Sequence, residues 1–272
     1  MRGAVDLIDG TGDLIELSNV RGIWIRRPQW PSLSRLLTDE ADRALALQES
    51  VATLAGVWRI LADKCVSSAD SLQAARWKLP QLKVAAEIGL TVPETLVTTD
   101  PKRARQFVEG RPAVVKAVAE ARVRVGTEER IGSVQVVSPD TPLDDVVVAP
   151  TMFQRLVPKV ADVRVTLVGH TPFAVLIKAP SGAPLDFRDV DPDACSYQPF
   201  ALPELDLHRC LRFMQHYGLR FGAFDFGLTE AGDLVFFECN PNGQWGWIEA
   251  RSQLAITPAL VDLLLSPSIQ HG

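Results

Sequence analysis

The sequence predicts an α+β protein built from short antiparallel hairpins and amphipathic helices. Two aromatic or apolar runs, Phe221–Thr229 and residues 234–239, flank a polar turn, as the two strands of a hairpin do. Apolar side chains in the N-terminal third instead recur at helical spacing. Neither the dinucleotide-binding pattern G-x-G-x-x-G nor the P-loop pattern G-x-x-x-x-G-K-[ST] occurs, so we expect neither of those nucleotide folds.

The N-terminal region should contain two short strands within residues 1–31, a strand at 22–26, and then a long helix. Thr38 is the expected N-cap of this helix, with Asp39 and Glu40 in its first turn. Its apolar positions form a single stripe, which we expect to be buried in the core. The stripe consists of Leu47, Val51, Leu54, Trp58 and Leu61.

A second helix should begin at Lys78, because Pro80 suits a first helical turn, and Gly89 should end it. Asp100 and Pro101 predict the start of a third helix. The later elements that we expect are a strand at 113–118, a mobile charged loop at 120–132, strands at 133–138 and 146–149, a hairpin at 162–168 and 173–177, and helices at 203–217 and 260–265.

Three cationic side chains in these elements are candidates for function. Lys116 lies within an apolar strand, where lysine is unusual, although a lysine at a strand edge can reach water. Arg164 should share one strand face with Asp162 and Thr166. Arg188 lies in a polar loop, where a single arginine is usually a solvated surface residue.

The C-terminal hairpin places two acidic side chains opposite each other if its loop consists of Ala231 and Gly232. Asp225 then faces Glu238 at roughly 5 Å. Two carboxylates at that distance repel by about 3 kcal/mol at an effective dielectric constant near 20. A cross-strand pair contributes only about 0.2–1 kcal/mol, so a cation should lie between the two acids.

Asn240 follows on the same strand face as Glu238, so that two carboxylates and an amide oxygen come together. Hard oxygen ligands of this kind suit Mg²⁺, which keeps positions for water and phosphate oxygens. The alternative is a surface hairpin with two solvated acids, one of them paired with an arginine. We favour the metal site because both acids are embedded in apolar runs, which solvated acids do not need.

The composition is that of an ordinary globular protein. A net charge of −5 over 272 residues argues against a nucleic-acid partner. No run of 18 apolar residues occurs, and the N-terminus lacks the apolar stretch of a signal peptide, so we expect no membrane association. The four cysteines are scattered without a C-x-x-C pair, which predicts no zinc site, no disulfide framework and a cytoplasmic location.

Six short motifs, in order along the chain, resemble those of ATP-grasp ligases. They are Lys78-x-x-Gln81-Leu82, Gly89-Leu90-x-Val92-Pro93-x-Thr95, Val114-Val115-Lys116, Gln154-x-Leu156-Val157, Asp162-Val163-Arg164-Val165, and Asp225 with Glu238-Cys239-Asn240-Pro241. The segment from Glu238 to Trp245, followed by Trp247-Ile248-Glu249, is more specific and resembles the microviridin-type (graspetide) peptide macrocyclases. Arg26-Arg27-Pro28 resembles them too, and the similarity covers residues 14–265.

The resemblance implies an ATP-grasp fold, in which two α+β subdomains clamp ATP, and it implies a role for each candidate residue. Lys78 and Lys116 would contact the ATP phosphates, or the adenine side in the case of Lys116. The backbone of residues 154–156 would read adenine at a hinge that includes Gln154 and Leu156. The remaining roles are ribose contact for Asp162, neutralisation of the γ-phosphate and acyl phosphate for Arg164 and Arg188, and Mg²⁺ binding for Asp225, Glu238 and Asn240.

The resemblance also implies three domains. These are a pre-ATP-grasp domain at 1–92, a small lid subdomain at 93–158, and a metal and phosphate subdomain at 159–272. The family usually has a further strand and helix before the region that matches residues 1–31. We therefore expect the first domain to be abbreviated or completed by a partner chain, and a homodimer is a candidate arrangement. Arg155 stands where many family members carry Glu, a change that is tolerable if the backbone reads adenine.

The activity implied is that of an ATP-dependent, ADP-forming macrocyclase. It would phosphorylate Asp or Glu side chains of a ribosomal precursor peptide that carries a leader segment. It would then join them to Ser or Thr as esters, or to Lys as amides. One alternative keeps the fold and is an ATP-dependent carboxylate–amine ligase acting on free amino acids or small peptides. Another is a nucleotide-dependent peptide-binding protein without ligase activity, against which the intact acid pair argues.

Overall fold

The computed structural model describes residues 6–8, 12–26, 31–119, 122–125, 128–131 and 134–266. It describes side chains for residues 12–26, 31–119, 134–187 and 189–266. The helices are α1 (Glu40–Ile60), α2 (Ala69–Ala75), α3 (Lys78–Glu87), α4 (Pro101–Val108), α5 (Glu204–Tyr217), α6 (Gly246–Ser252) and α7 (Ile256–Leu265). Within these described ranges, the helices lack the combination of length and apolarity that crossing a membrane requires.

The strands pair in an antiparallel manner throughout the described sheets, and their alternation with helices confirms the α+β prediction. The strands are β1 (Asp6–Ile8), β2 (Leu14–Glu16), β3 (Thr95–Thr98), β4 (Ala113–Lys116), β5 (Arg122–Val125), β6 (Glu128–Ile131), β7 (Gln135–Val137), β8 (Thr151–Arg155), β9 (Lys159–Val168), β10 (Thr171–Lys178), β11 (Ser196–Pro199), β12 (Phe221–Thr229) and β13 (Leu234–Asn240). They form a five-stranded sheet in the order β11-β10-β9-β12-β13 and a four-stranded sheet in the order β3-β8-β4-β7. The pairs β1-β2 and β5-β6 are separate two-stranded hairpins.

The five-stranded sheet has one predominantly apolar face and one mixed face. Alternation along β9 directs Val163 and Val165 to the apolar face, where they join a core that α3 and α5 cover. The other face carries Arg164 and Thr166, both buried. At one end of that face, α6 and α7 cover an aromatic and aliphatic cluster that includes Phe221. The charged side chains therefore lie beside a hydrophobic layer that limits their access to water.

The four-stranded sheet has a separate and smaller core. Phe153 of β8 is fully buried there, against Ala104 and Val108 of α4. Asp100 caps α4 by accepting a hydrogen bond from Lys102 N, and Pro101 occupies the first helical turn, as the sequence predicts. The boundaries of the three predicted domains stay predictions, although α3 of the first predicted domain packs into the core of the five-stranded sheet.

Helix α1 differs from its prediction in position and in burial. Its N-cap is Asp39, whose carboxylate accepts from Ala41 N and Asp42 N, so the predicted cap at Thr38 is wrong by one residue. The predicted stripe is buried only toward the end of the helix, since Leu61 is 4% exposed whereas Leu47 is 37% exposed. The first turns of α1 project away from the described core, and for this reason their apolar side chains stay accessible.

Several local predictions are corrected by the backbone. Residues 22–26 contribute only a bridge from Ile23 to Cys65. Residues 146–148 belong to a 3₁₀ turn, Asp144–Val148, and Ala149 is its extended C-cap. The charged segment expected to be a loop contains the hairpin β5-β6. The polar tail after the C-terminal hairpin contains α6, which the sequence reading did not predict.

Candidate active site

The hairpin β12-β13 brings Asp225 opposite Glu238, as predicted, but by a different route. The loop has three residues, because Thr229 N donates a hydrogen bond to Asp233 O at 3.0 Å and Gly232 has a φ of 88°. From this loop alone, Asp225 would face Phe237. A β-bulge at Phe237 adds one residue to β13 and restores the pairing of the two acids.

Each acid has a cationic neighbour in the structure. Arg164 lies beside Asp225 on the adjacent strand β9, and its Nη1 is 2.7 Å from Asp225 Oδ1. Lys78 at the start of α3 places its Nζ 3.5 Å from Glu238 Oε2. The side chains of Asp225 and Glu238 are 16% and 23% exposed, so neither acid is freely solvated. The repulsion predicted for the acid pair is therefore offset in part by protein cations.

The loop that follows β13 lies flat on the charged face of the sheet. Gly243 makes this possible, because a Cβ there would lie 2.4 Å from Ala223 Cβ and 2.9 Å from Arg164 Nη2. Arg164 Nη2 also donates to the carbonyl of Gln244 at 3.4 Å. Asn242 extends the attachment, since its side-chain amide, when its nitrogen is turned toward Ile25 O, lies 2.8 Å from that carbonyl oxygen. The loop thus covers Arg164 and ties it to the N-terminal segment.

The donor set formed by Asp225, Glu238 and Asn240 fits a hard divalent cation. Asn240 Oδ1 accepts from Asn242 N at 3.0 Å, which orients the amide and leaves the oxygen a second lone pair. Arg164 engages Oδ1 of Asp225, and that carboxylate has a second oxygen to offer a metal. Among the described residues, no cluster of three or more His, Cys, Asp or Glu side chains has metal-binding geometry. A metal here would therefore rely on two carboxylates, an amide and oxygens from a ligand.

Two lysines and an aromatic ring form the wall beside the acid pair. Lys116 Nζ lies 4.6 Å from the ring centroid of Phe237, and Lys159 Nζ lies 6.0 Å from it. Lys78 Nζ donates to Ala117 O at 3.1 Å, directly after Lys116. One helix terminus and two strands from separate sheets therefore bring three ammonium groups to one place. This cluster could neutralise a polyanion such as a triphosphate.

Asp162 lies on the same face and forms an ion pair with Lys159. Burial is the main influence on this carboxyl and raises its pKa above the usual range, although the Lys159 ammonium group opposes the effect. The nearby carboxylates of Asp225 and Asp186 raise the pKa further. Asp162 thus belongs to the same electrostatic environment as the acid pair.

The predicted hinge is less directly connected to this cluster. The side chain of Gln154 is buried within the small sheet, where its Nε2 donates to Thr95 Oγ1 at 3.0 Å. The Leu156 N–H donates to Pro112 O at 3.0 Å. An adenine bound at this hinge would therefore have to form its hydrogen bonds with backbone carbonyl or amide groups further along the chain. The roles predicted for Gln154 and Leu156 stay predictions.

Arg155 contacts residues of the four-stranded sheet, so the change from glutamate that the resemblance implied at this position does not place a cation at the acid pair. Its guanidinium donates to Glu94 Oε2 at 3.2 Å and to the carbonyl of Phe107, and it lies 4.1 Å from the Phe107 ring centroid. This contact lowers the pKa of the Glu94 carboxyl, chiefly through the hydrogen bond from Arg155.

The side chain of one predicted site residue is not described, and three residues that lie near the site were not predicted from the sequence. Arg188 has its backbone in the 3₁₀ turn Phe187–Asp189, but its side chain lies outside the described residues. Sequence reading missed Lys159, because the strand was expected to begin at Asp162. It missed Phe237, because the bulge was not foreseen. Gln81, which forms hydrogen bonds to the backbone of β13, was named only as part of the motif Lys78-x-x-Gln81-Leu82 and was given no role.

The tryptophan-rich tail has a packing role in this structure. Trp245 packs edge-on against Trp24 and Phe221, with ring centroids 5.5 Å and 5.8 Å away. Arg26 lies over Trp245 at 5.3 Å, whereas Arg27 and Pro28 of the same motif lie outside the described residues. Glu249 accepts from Thr257 N at 2.8 Å and so holds the first turn of α7. The tail attaches the N-terminal segment and the last two helices to the sheet.

Comparison with solved structures places this fold among ATP-grasp proteins. The macrocyclase MdnC from Microcystis aeruginosa MRC, bound with the precursor peptide MdnA, has a TM-score of 0.82 at 27% identity, over 97% of this chain and 84% of that chain. The macrocyclase MdnB from the same organism has a TM-score of 0.75 at 29% identity, over 97% and 86%.

A third structure, the ATP-grasp ligase PsnB complexed with minimal precursor, Mg and ADP, matches in fold. Its TM-score is 0.72 at 22% identity, and the match covers 98% of this chain and 85% of that chain. No protein-family model and no curated protein matches the chain.

Proposed function

We propose that this chain, an ATP-grasp ligase of the graspetide macrocyclase family, closes side-chain rings in a ribosomal precursor peptide at the expense of ATP. Macrocyclases with 27% and 29% identity share its fold over almost its whole length. The observation that carries the proposal is the acid pair Asp225 and Glu238, set among cations from both sheets. We infer a cytoplasmic location for this chemistry.

The position of each site residue suggests its role in the reaction. Asp225, Glu238 and Asn240 would hold Mg²⁺, which neutralises phosphate charge when bound. Lys78 and Lys116, which lie near β13 from two different elements, would hold the phosphates of ATP. Asp162 would contact the ribose. Phosphoryl transfer depends mainly on positioning and charge neutralisation, which an array of this kind provides.

The reaction proceeds through an activated carboxylate of the peptide. An Asp or Glu side-chain oxygen attacks the γ-phosphorus, and the bond from that phosphorus to the ADP oxygen breaks. A Ser or Thr hydroxyl, or a Lys amine, then attacks the acyl carbon, and phosphate leaves as the ester or amide forms. Arg164 and Arg188 would neutralise charge on the transferred group, and the guanidinium of Arg164 lies beside Asp225, one of the proposed metal ligands.

The test uses the enzyme, Mg²⁺, ATP and the short peptide encoded beside its gene. We expect the peptide to lose one water per ring bond by mass spectrometry, with release of ADP. The double variant D225N/E238Q should form no rings while still binding the peptide. E230Q, in the turn of the same hairpin, is the matched control and should retain full ring formation.

Two outcomes would contradict the proposal. Release of AMP beside an unmodified peptide would exclude the acyl-phosphate route. Unchanged ring yield in D225N/E238Q would overturn the metal assignment. Condensation of free amino acids or small peptides, with no reaction on the co-encoded peptide, would instead support the carboxylate–amine ligase alternative.

A further inference from the structure

The side-chain amide of Gln81 on α3 pairs with the backbone of Cys239 on β13 in both directions. Cys239 N donates to Gln81 Oε1 at 2.8 Å, and Gln81 Nε2 donates to Cys239 O at 2.7 Å. Nε2 also donates to Ala75 O. Gln81 is only 2% exposed, so these bonds form where water does not compete for them. The buried amide is satisfied at both of its polar atoms.

The hydrogen bonds between Gln81 and Cys239 lie where they can position the proposed site as well as stabilise the core. Strand β13 is the outer strand of the five-stranded sheet, and the bulge at Phe237 interrupts its pairing with β12 next to Asp225. On the outer side, Thr91 O accepts from Phe236 N at 2.8 Å. At Cys239, the side-chain amide of Gln81 forms the two hydrogen bonds that the backbone of a neighbouring strand would otherwise form. The backbone of β13 is thereby held just beyond the point where the bulge weakens it.

Cys239 itself contributes no reactive group here. Burial raises the pKa of its thiol well above the usual value, and its side chain packs in the apolar core. Its backbone, however, joins Glu238 to Asn240, two of the three proposed metal ligands. The direction of both ligands therefore depends on where Cys239 is held.

We propose that Gln81 is a positioning residue for metal–nucleotide binding, which acts by fixing the backbone between Glu238 and Asn240. Lys78 lies one turn earlier on the same helix and contacts Glu238. Helix α3 therefore positions both Lys78 and the backbone of β13 at the proposed metal site. This inference rests on the proposed function, because it assigns Gln81 to the same site. Outer partners that orient metal ligands typically change metal affinity by about 10- to 100-fold when removed.

The test compares Q81M, which keeps the length of the side chain but forms no amide hydrogen bonds, with the wild-type chain. Binding of Mn²⁺ is followed by electron paramagnetic resonance at saturating ADP, and ADP affinity is measured separately without metal. We expect Q81M to bind Mn²⁺ about 10-fold more weakly, with unchanged metal-free ADP affinity. Hydrogen exchange of the Cys239 amide should become faster.

Two control variants separate positioning from general stability. L82A destabilises the same helix through the apolar core while leaving the side-chain amide of Gln81 in place, and it should lower the melting temperature while leaving Mn²⁺ affinity unchanged. Q73M replaces an exposed glutamine of α2 and should change neither quantity. If Q81M does not fold, Q81N withdraws the amide by one methylene group and should weaken Mn²⁺ binding in the same direction.

The outcomes that overturn the inference are distinct from those that overturn the proposed function. Wild-type Mn²⁺ affinity in folded Q81M or Q81N excludes a positioning role. An equal loss of affinity in L82A shows that Gln81 acts through stability alone. Failure of the wild-type chain to bind Mn²⁺ with ADP removes the proposed metal site, and the inference with it.

Discussion

Arg164 of the five-stranded sheet and Arg155 of the four-stranded sheet are both strand arginines, but they have different partners and different roles. Arg164 of the five-stranded sheet points toward the acid pair, is 7% exposed, and is covered by the loop at Gly243. Arg155 of the four-stranded sheet is also largely buried, but it pairs with Glu94 and donates to backbone carbonyl groups. The first arrangement builds an electrostatic environment at the site, whereas the second closes the edge of a small core. A charged side chain in an apolar strand can therefore serve either purpose, and its partners decide which.

Replacing Arg164 should have the largest effect. R164M leaves the half-buried carboxylate of Asp225 next to Glu238 without its cation, which should lower the free energy of unfolding by about 3 kcal/mol. Ring formation should fall by at least about 100-fold because charge on the transferred group is no longer neutralised. Chemical denaturation and mass spectrometry of the peptide measure the two effects.

R155M is the matched variant in the other sheet. It should cost about 1 kcal/mol through the lost hydrogen bond to the Phe107 carbonyl, and ring formation should stay close to that of the wild type. Equal losses of activity in R164M and R155M would show that the two regions do not differ in the way proposed here.

Gly243 tests whether the loop must lie against the sheet. G243A introduces a Cβ that would meet Ala223 and Arg164, and overpacking of this kind costs about 1–3 kcal/mol. G246A, three residues later, adds a Cβ that has no neighbour within 4 Å among the described residues. We expect a lower melting temperature and reduced ring formation only in G243A. Wild-type behaviour of both variants would mean that the loop can lift without consequence.

The smallest effect concerns the pH dependence of stability. Because burial raises the pKa of Asp162, the native state binds this proton more tightly than the unfolded chain does. The stabilising contribution is therefore present at low pH and is lost as the pH rises through the raised pKa. The difference in unfolding free energy between the wild-type chain and D162N should fall as the pH rises from the ordinary pKa of an aspartate carboxyl through the raised pKa of Asp162. A difference that grows with pH would mean that the Lys159 ion pair outweighs burial.

The sequence was sufficient for the features that depend on local pattern. The caps at Asp100 and Gly89 and the hairpins β9-β10 and β12-β13 follow from turn chemistry and strand alternation. The opposition of Asp225 to Glu238 was predicted from a two-residue loop, but it arises from a three-residue loop combined with the bulge at Phe237. The loop length did not follow, because Gly232 is compatible with both a two-residue and a three-residue loop.

What the sequence did not predict depends on contacts between distant segments. Gln81 and Cys239 are 158 residues apart, and no local pattern indicates that a glutamine will hydrogen-bond to a strand backbone. The exposure of α1 is similar, because the spacing of its apolar residues predicts a stripe but not what covers it. Phe237 joined the site only through a bulge, which arises from the pairing of two strands.

The bulge at Phe237 also affects how related sequences should be compared. Counting alternate residues from the turn along β13 would assign Phe237 to the charged face and Glu238 to the core, although Glu238 faces Asp225. An alignment that allows no gap within this strand would therefore mismatch the acid in any relative that lacks the extra residue. Aligning such sequences on the acid pair, rather than on the hydrophobic period, keeps the metal ligands in one column and shows directly which relatives carry the inserted aromatic residue.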